Sequence, residues 1–217
     1  MSLGKLFRKY RCDKGTKHNY HKVYSELWES LRDKPINFLE IGIFEGLSTK
    51  AFLEYFPKAK FYGIDIFTRL TPEDVPVLNN RRVKWIKGDS MHHNIRSQIK
   101  KEWKDIKFDI ILDDGKHTPE ANQLTFKNIS PFLKDSGMYL IEDVFPLHIM
   151  TVKEMNHYWV QKKSNELNYL KANISKISYE CLLKIDFNSV KSKHLSNWLA
   201  LLQVEFLYSQ GNIEEAD

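Results

Sequence analysis

Short apolar runs alternate with helical segments along the first two-thirds of the chain, and this alternation constrains the fold more than any other feature. The apolar runs predict strands at residues 37–43, 60–66, 82–87, 108–112 and 137–141. The segments between them predict helices at 46–56, from Thr71 onward, at 93–103 and at 118–133. Short apolar strands separated by helices are typical of a parallel sheet, and right-handed crossovers make such a sheet doubly wound. We therefore predict an α/β fold with a doubly wound, mostly parallel sheet and helices on both faces.

The remaining segments are predicted to flank a single sheet domain. Residues 1–35 form an N-terminal helical segment, because the apolar positions within 20–31 fit one helical face. The sheet domain covers 36–210, and the polar residues 211–217 form a flexible tail. The last third predicts a helix and then a closing antiparallel strand pair, at 150–170, 177–185 and 198–206. The last of these runs fits a helix equally well.

Composition excludes several classes of protein. The net charge is +5, but the lysines are scattered among acids, which favours a solvated basic surface and makes a nucleic-acid partner unlikely. Cys12 and Cys181 lie far apart, so reduced thiols are expected rather than a zinc site. No apolar run is long enough to span a bilayer, and residues 1–11 lack the apolar stretch of a signal peptide. We therefore predict a soluble, cytoplasmic protein without a membrane partner, and a homo-oligomer stays open.

A glycine-containing turn follows the first predicted strand. Gly42 allows a tight turn, and Gly46 allows close approach of a ligand at the start of the next helix. The spacing differs from the Gly-x-Gly-x-x-Gly of nicotinamide dehydrogenases. Asp65 ends the second strand 65 − 46 = 19 residues later, where an acid accepts hydrogen bonds from a ribose diol. Gly88-Asp-Ser90 ends the third strand, which places a second acid, Asp89, at this edge of the sheet.

Two further strands end in paired carboxylates. The fourth strand ends in Asp113 and Asp114, and the fifth ends in Glu142 and Asp143. Neighbouring strands lie ~4.8 Å apart, so these side chains would repel one another at one edge of the sheet. Such a cluster must hold protons, meet basic groups or bind a cation.

These motifs together resemble class I S-adenosylmethionine-dependent methyltransferases. The first strand and turn carry the Glu-x-Gly-x-x-x-Gly pattern, from Glu40 to Gly46. The segment Asp113-Asp-Gly-Lys-His117, followed by Glu142-Asp143, resembles the metal-dependent macrolide sugar O-methyltransferase group. The resemblance runs from about Asp13 to Val144 and includes an upstream Asp-Lys-Gly-Thr-Lys-His-x-Tyr-x-x-x-Tyr segment. It implies a Rossmann-like fold and methyl transfer to a hydroxyl of a small molecule, such as a sugar or a glycosylated natural product.

The resemblance also implies roles for individual residues. It places the cofactor against Glu40, Gly42, Phe44, Gly46, Ser48, Asp65, Ile66, Asp89, Ser90 and Asp113. It places Mg²⁺ or another divalent cation on Asp114, Glu142 and Asp143, since such hard ions prefer carboxylate oxygens. It makes His117 the base that takes the proton of the acceptor hydroxyl.

Some features leave alternatives open. Lys116 stands where the group usually has serine, so a metal-independent enzyme that uses Lys116 and His117 remains an alternative. A non-catalytic cofactor-binding or scaffold protein is the third reading. Lys14, His18 and Tyr20 either close over cofactor or substrate or form a surface segment before a helix.

Overall fold

The computed structural model describes residues 1–144, which contain a five-stranded sheet with every pairing parallel. The strands are β1 (Asn37–Ile41), β2 (Lys60–Asp65), β3 (Val83–Lys87), β4 (Phe108–Asp113) and β5 (Leu133–Ile141). Their spatial order is β3-β2-β1-β4-β5. The chain therefore winds outward from β1 in both directions, which confirms the predicted doubly wound sheet. The predicted helix at 150–170, the strand pair within 177–206 and the tail 211–217 lie outside the described residues.

Five α-helices accompany the sheet in residues 1–144. They are α1 (Leu3–Lys9), α2 (His21–Trp28), α3 (Leu47–Tyr55), α4 (Ile95–Trp103) and α5 (Pro119–Ile129). Short 3₁₀ helices occur at Asp13–Gly15, Glu29–Leu31, Pro72–Asp74, Pro76–Asn79 and Ser130–Phe132. The α-helix predicted to start at Thr71 is wrong: Thr71 and Asp74 form a capping box, but the helix is a single 3₁₀ turn. It stops because Val75 precedes Pro76 and takes a non-helical conformation.

Aromatic packing places helices on both faces of the sheet. Phe38 of β1 and Phe61 of β2 are register partners on one face. The Phe38 ring lies 5.6 Å from Trp28 of α2 and 4.9 Å from Phe52 of α3. On the opposite face, the Tyr62 ring lies 5.0 Å from Trp103 of α4. This separation follows because successive strand residues point to opposite sides. Burying each large aromatic side chain contributes about 1.5–3 kcal/mol.

Backbone hydrogen bonds continue past the carboxyl ends of β1, β4 and β5 and keep these ends next to one another. Asp114 N–H donates to Ile41 O, and Glu142 N–H donates to Asp113 O, both at 2.9 Å. Gly42 makes this close approach possible. Its φ is +85°, and a Cβ added there would lie 2.1 Å from Asp114 O. Ligands of doubly wound sheets bind at this edge, so the fold places the predicted site residues together.

Within residues 1–144, no helix combines the length and apolar character needed to cross a membrane.

Candidate functional site

Asp65 organises the loop that follows β1. Its Oδ2 accepts hydrogen bonds from the N–H groups of Ile43 at 2.7 Å and Phe44 at 2.9 Å, and its Oδ1 accepts from Phe67 N–H at 2.6 Å. Phe44 and Phe67 have φ values of +49° and +51°, so the carboxylate stabilises two left-handed turns. A carboxylate offers about four acceptor positions. Three are used by the backbone, which leaves about one for the ribose that the sequence predicts here.

Glu40 joins β1 to the first turn of α3. It is 1% exposed and accepts hydrogen bonds from the hydroxyls of Ser48 and Thr49, each at 2.5 Å. Burial raises the pKa of Glu40 to about 7, and the Lys14 ammonium and the two hydroxyls oppose that rise. The predicted cofactor residues Glu40 and Ser48 therefore bond to each other beneath the loop.

Gly46 and two apolar side chains shape the outer part of this loop. Gly46 has φ of +67°, and a Cβ added there would lie 2.4 Å from Val77 Cγ1, so packing as well as backbone conformation requires glycine. Phe44, three residues past β1, and Ile66, directly after β2, are each 49% exposed.

The loop after β3 is anchored on α5. The Ser90 hydroxyl lies 2.9 Å from the Thr125 hydroxyl, and the Asn128 amide donates to Ser90 O and Met91 O. Asp89 is exposed, and its Oδ1 accepts from Met91 N–H at 2.8 Å. The structure thus places Asp89 at the same edge as Asp65.

Asp113 is separated from the other acids at the ends of β4 and β5. It is 2% exposed, and it accepts from Gly115 N–H at 3.3 Å and from the Tyr139 hydroxyl at 3.4 Å. Burial raises the pKa of Asp113 to about 7. Asp113 and Asp114 have different partners, since Asp113 accepts from the Tyr139 hydroxyl and Asp114 accepts from the Lys14 ammonium.

The other three acids, Asp114, Glu142 and Asp143, form a group that we call the acidic edge. The Lys14 ammonium lies between two of them: it is 2.5 Å from Asp114 Oδ2 and also donates to Glu142 Oε2. The Lys14 side chain is 4% exposed. Burial alone would lower the pKa of Lys14, but Glu142 and then Asp114 outweigh it and hold that pKa well above the ordinary range. Lys14 is therefore a buried ammonium ion.

Two tyrosines from the same upstream segment complete the acidic edge. Tyr24 donates its hydroxyl hydrogen to Glu142 Oε1, and Tyr20 donates to Asp143 Oδ1 at 2.6 Å. Burial and the Asp114 carboxylate raise the pKa of Glu142, and the Lys14 ammonium opposes that rise. The structure packs this segment against the acidic edge, and its closure over cofactor or substrate stays a prediction. The sequence pattern includes Tyr24 without indicating a role for it, and it does not indicate that Lys14 is buried.

His117 lies beside the exposed part of the acidic edge. Its Nε2 is 3.5 Å from Asp114 Oδ1 and 3.9 Å from Asp143 Oδ2, and the backbone φ is +56°. Thr118 then caps α5 by accepting from Ala121 N–H at 3.2 Å. Ligand atoms of Asp114, His117 and Asp143 all lie within 4.8 Å of one another. This arrangement can accept a proton at His117 or hold a cation between the two carboxylates.

The sheet order, the glycine turn and the acidic edge are the features to compare with known proteins. Residues 39–144 match a protein family described as a methyltransferase domain. Over these residues the chain is therefore similar to methyltransferase domains.

Two of the similar proteins are O-methyltransferases that act on glycosylated natural products. The chain is 28% identical over 151 residues to the 8-demethyl-8-(2-methoxy-alpha-L-rhamnosyl)-tetracenomycin-C 3'-O-methyltransferase of Streptomyces olivaceus. It is 31% identical over 152 residues to the L-olivosyl-oleandolide 3-O-methyltransferase of Streptomyces antibioticus. Each match covers 66% of this chain and 37% of the relative, so the chain spans well under half of these proteins.

A solved structure supports the fold. The MycE methyltransferase from the mycinamycin biosynthetic pathway, in complex with Mg and SAH, aligns with a TM-score of 0.60 and 23% identity. The alignment covers 76% of this chain and 44% of that chain.

Proposed function

We propose that the protein transfers a methyl group from S-adenosylmethionine to a hydroxyl group of a small molecule, in the class of sugars or glycosylated natural products. The observation that carries the proposal is His117 Nε2 beside Asp114 and Asp143 at the carboxyl edge of a class I sheet. The relatives support this acceptor class, since their names place the methyl group on rhamnosyl and olivosyl hydroxyls.

The cofactor is proposed to bind across the ends of β1, β2 and β3. Phe44 and Ile66 offer exposed apolar surface, and Asp65 keeps about one acceptor position for the ribose. Asp89 is exposed at the end of β3. The remaining predicted contacts are Glu40, Gly42, Gly46, Ser48, Ser90 and Asp113. MycE, which shares the fold, was crystallised with SAH.

His117 is proposed to act as the general base. The acceptor oxygen attacks the methyl carbon of the sulfonium, the carbon–sulfur bond breaks, and its electron pair leaves on sulfur. The hydroxyl proton passes to His117 Nε2, and the carboxylates of Asp114 and Asp143 stabilise the imidazolium that forms. A positioned base of this kind contributes about 10²–10⁴-fold to the rate.

A divalent cation, Mg²⁺ among the candidates, is proposed at the acidic edge. Asp114 and Asp143 each present a carboxylate oxygen beside His117, and these two residues would hold the ion. Glu142, the third ligand that the resemblance implies, has both oxygens bonded to Lys14 and Tyr24. When bound, such an ion orients a hydroxyl and makes it more acidic. The metal-independent alternative is favoured by one observation: the Lys14 ammonium already compensates part of the negative charge.

The test uses the full chain, with calorimetry for cofactor binding and a methyl-transfer assay on a panel of deoxysugar glycosides. We expect S-adenosylmethionine to bind and His117→Ala to lower kcat by about 10²-fold or more, with cofactor affinity unchanged within about threefold. His93→Ala is the matched control, because His93 is exposed and lies outside the acidic edge. Absence of cofactor binding would refute the function, and full activity of His117→Ala would refute the base.

A further inference from the structure

Lys14 lies inside the acidic edge as a fixed cation. Its side chain is 4% exposed, and its ammonium contacts Asp114 Oδ2 at 2.5 Å and Glu142 Oε2. Lysine is almost never buried this deeply unless its charge is paired. The ammonium therefore fills the space between two carboxylates that the family resemblance assigns to a divalent ion.

The other oxygens of the acidic edge determine what remains for an external cation. Glu142 Oε1 accepts from the Tyr24 hydroxyl, so both Glu142 oxygens are used inside the protein. Asp114 Oδ1 and Asp143 Oδ2 face His117 Nε2 at 3.5 and 3.9 Å. The atoms that an ion can reach are thus those of Asp114, His117 and Asp143, which lie within 4.8 Å of one another.

The charge balance points in the same direction. The Lys14 ammonium compensates one unit of the negative charge of the acidic edge. Removing the ammonium would make the edge more negative by one charge and would free both Glu142 Oε2 and Asp114 Oδ2. A divalent ion would then meet more negative charge and more oxygen ligands, and both changes increase its affinity.

We propose that the Lys14 ammonium acts as an internal cation, which holds the acidic edge together in the absence of metal and keeps Glu142 from binding metal. The acidic edge then binds one divalent ion weakly, through Asp114 and Asp143. This inference rests on the proposed function for the location of the ion. Lys14 is a positioning residue that sets the affinity for the metal.

The test measures metal alone, so its outcome is independent of methyl transfer. Mn²⁺ is titrated into the full chain while electron paramagnetic resonance reports the free ion, and melting temperatures are recorded with EDTA and with Mg²⁺. The variants are Lys14→Met and the double variant Lys14→Met/Glu142→Gln, which removes the ammonium together with its partner charge. Lys22→Met is the matched control, because Lys22 is an exposed lysine on α2.

We expect Lys14→Met to bind Mn²⁺ about tenfold or more tightly than the wild type, and to melt roughly 10 °C lower in EDTA with partial rescue by Mg²⁺. The double variant should stay within about threefold of the wild-type affinity, and EDTA should leave the wild-type melting temperature unchanged.

Three results would each overturn the proposal. The first is a Lys14→Met protein that binds Mn²⁺ no more tightly than the wild type. The second is a double variant that loses about tenfold in affinity, since Glu142 would then be a ligand in the wild type. The third is a wild-type melting temperature that falls in EDTA. If Lys14→Met fails to fold, the double variant, which leaves no unpaired charge between these two residues, still decides the question.

Discussion

Replacing Gly42 by alanine tests whether the turn after β1 holds the acidic edge in place. The φ of +85° costs an alanine about 1–2 kcal/mol. The new Cβ would also lie 2.1 Å from Asp114 O, so the end of β4 must move by about 1 Å to reach ordinary contact. That movement strains the hydrogen bond from Asp114 N–H to Ile41 O, and overpacking of this kind costs about 1–3 kcal/mol.

The two contributions predict a loss of about 3 kcal/mol in the free energy of unfolding, or roughly 6–12 °C in melting temperature. Urea titration followed by circular dichroism measures the loss. Gly115→Ala is the control: Gly115 lacks a left-handed φ, and its nearest contact would be the Asp113 side chain at 3.1 Å. We expect that variant to lose less than about 1 kcal/mol. A Gly42→Ala protein as stable as Gly115→Ala would refute the reasoning.

Two further predictions concern the scaffold around the site. Burial raises the pKa of Glu40 from 4.5 to about 7, so the folded state holds a proton that the unfolded state releases between those values. The free energy of unfolding should therefore fall as the pH rises through this window. The expected loss is about 3 kcal/mol, because the two pKa values differ by about 7 − 4.5 = 2.5. Glu40→Gln should remove this part of the pH dependence of the unfolding free energy, as measured by urea titrations across that pH range. The part that comes from Asp113, whose pKa is about 7, should remain. An unchanged pH dependence in Glu40→Gln would contradict the assignment. The Arg82 guanidinium donates to three carbonyls at the end of α3 and in the turn after it, those of Leu53, Phe56 and Ala59. Arg82→Met should lower the unfolding free energy by about 2 kcal/mol, whereas Arg81→Met, at an exposed position, should change it by less than about 0.5 kcal/mol. Equal effects of the two substitutions would show that these hydrogen bonds contribute little.

The strands could be predicted from the sequence because each is a buried apolar run in a sheet covered on both faces. The ends of the strands were less predictable. The apolar run of β1 continues through Ile43, yet the strand stops at Ile41. It stops because Gly42 turns with a positive φ and the Ile43 N–H bonds to Asp65 rather than to a neighbouring strand. α1 lies inside the N-terminal helical segment predicted for residues 1–35, but its bounds were not predicted, because a seven-residue helix gives a weak periodic signal.

The convergence of Asp114, Glu142 and Asp143 followed from the rule that parallel strands end at one edge. The cation among them did not follow. Lys14 lies 100 residues from Asp114 and 128 from Glu142, so local sequence gives no indication of the pairing. Lysine before a helix is ordinarily solvated, and its partners emerge only when the tertiary structure is known.

The distance along the chain between Lys14 and Glu142 has a consequence for folding. During synthesis, the lysine and Tyr24 emerge well before β5, so they stay hydrated until more than a hundred further residues have been added. Closing so large a loop is entropically unfavourable and follows the formation of local contacts. The charged interior of the edge is therefore expected to assemble late. Substitutions there should accelerate unfolding more than they slow folding.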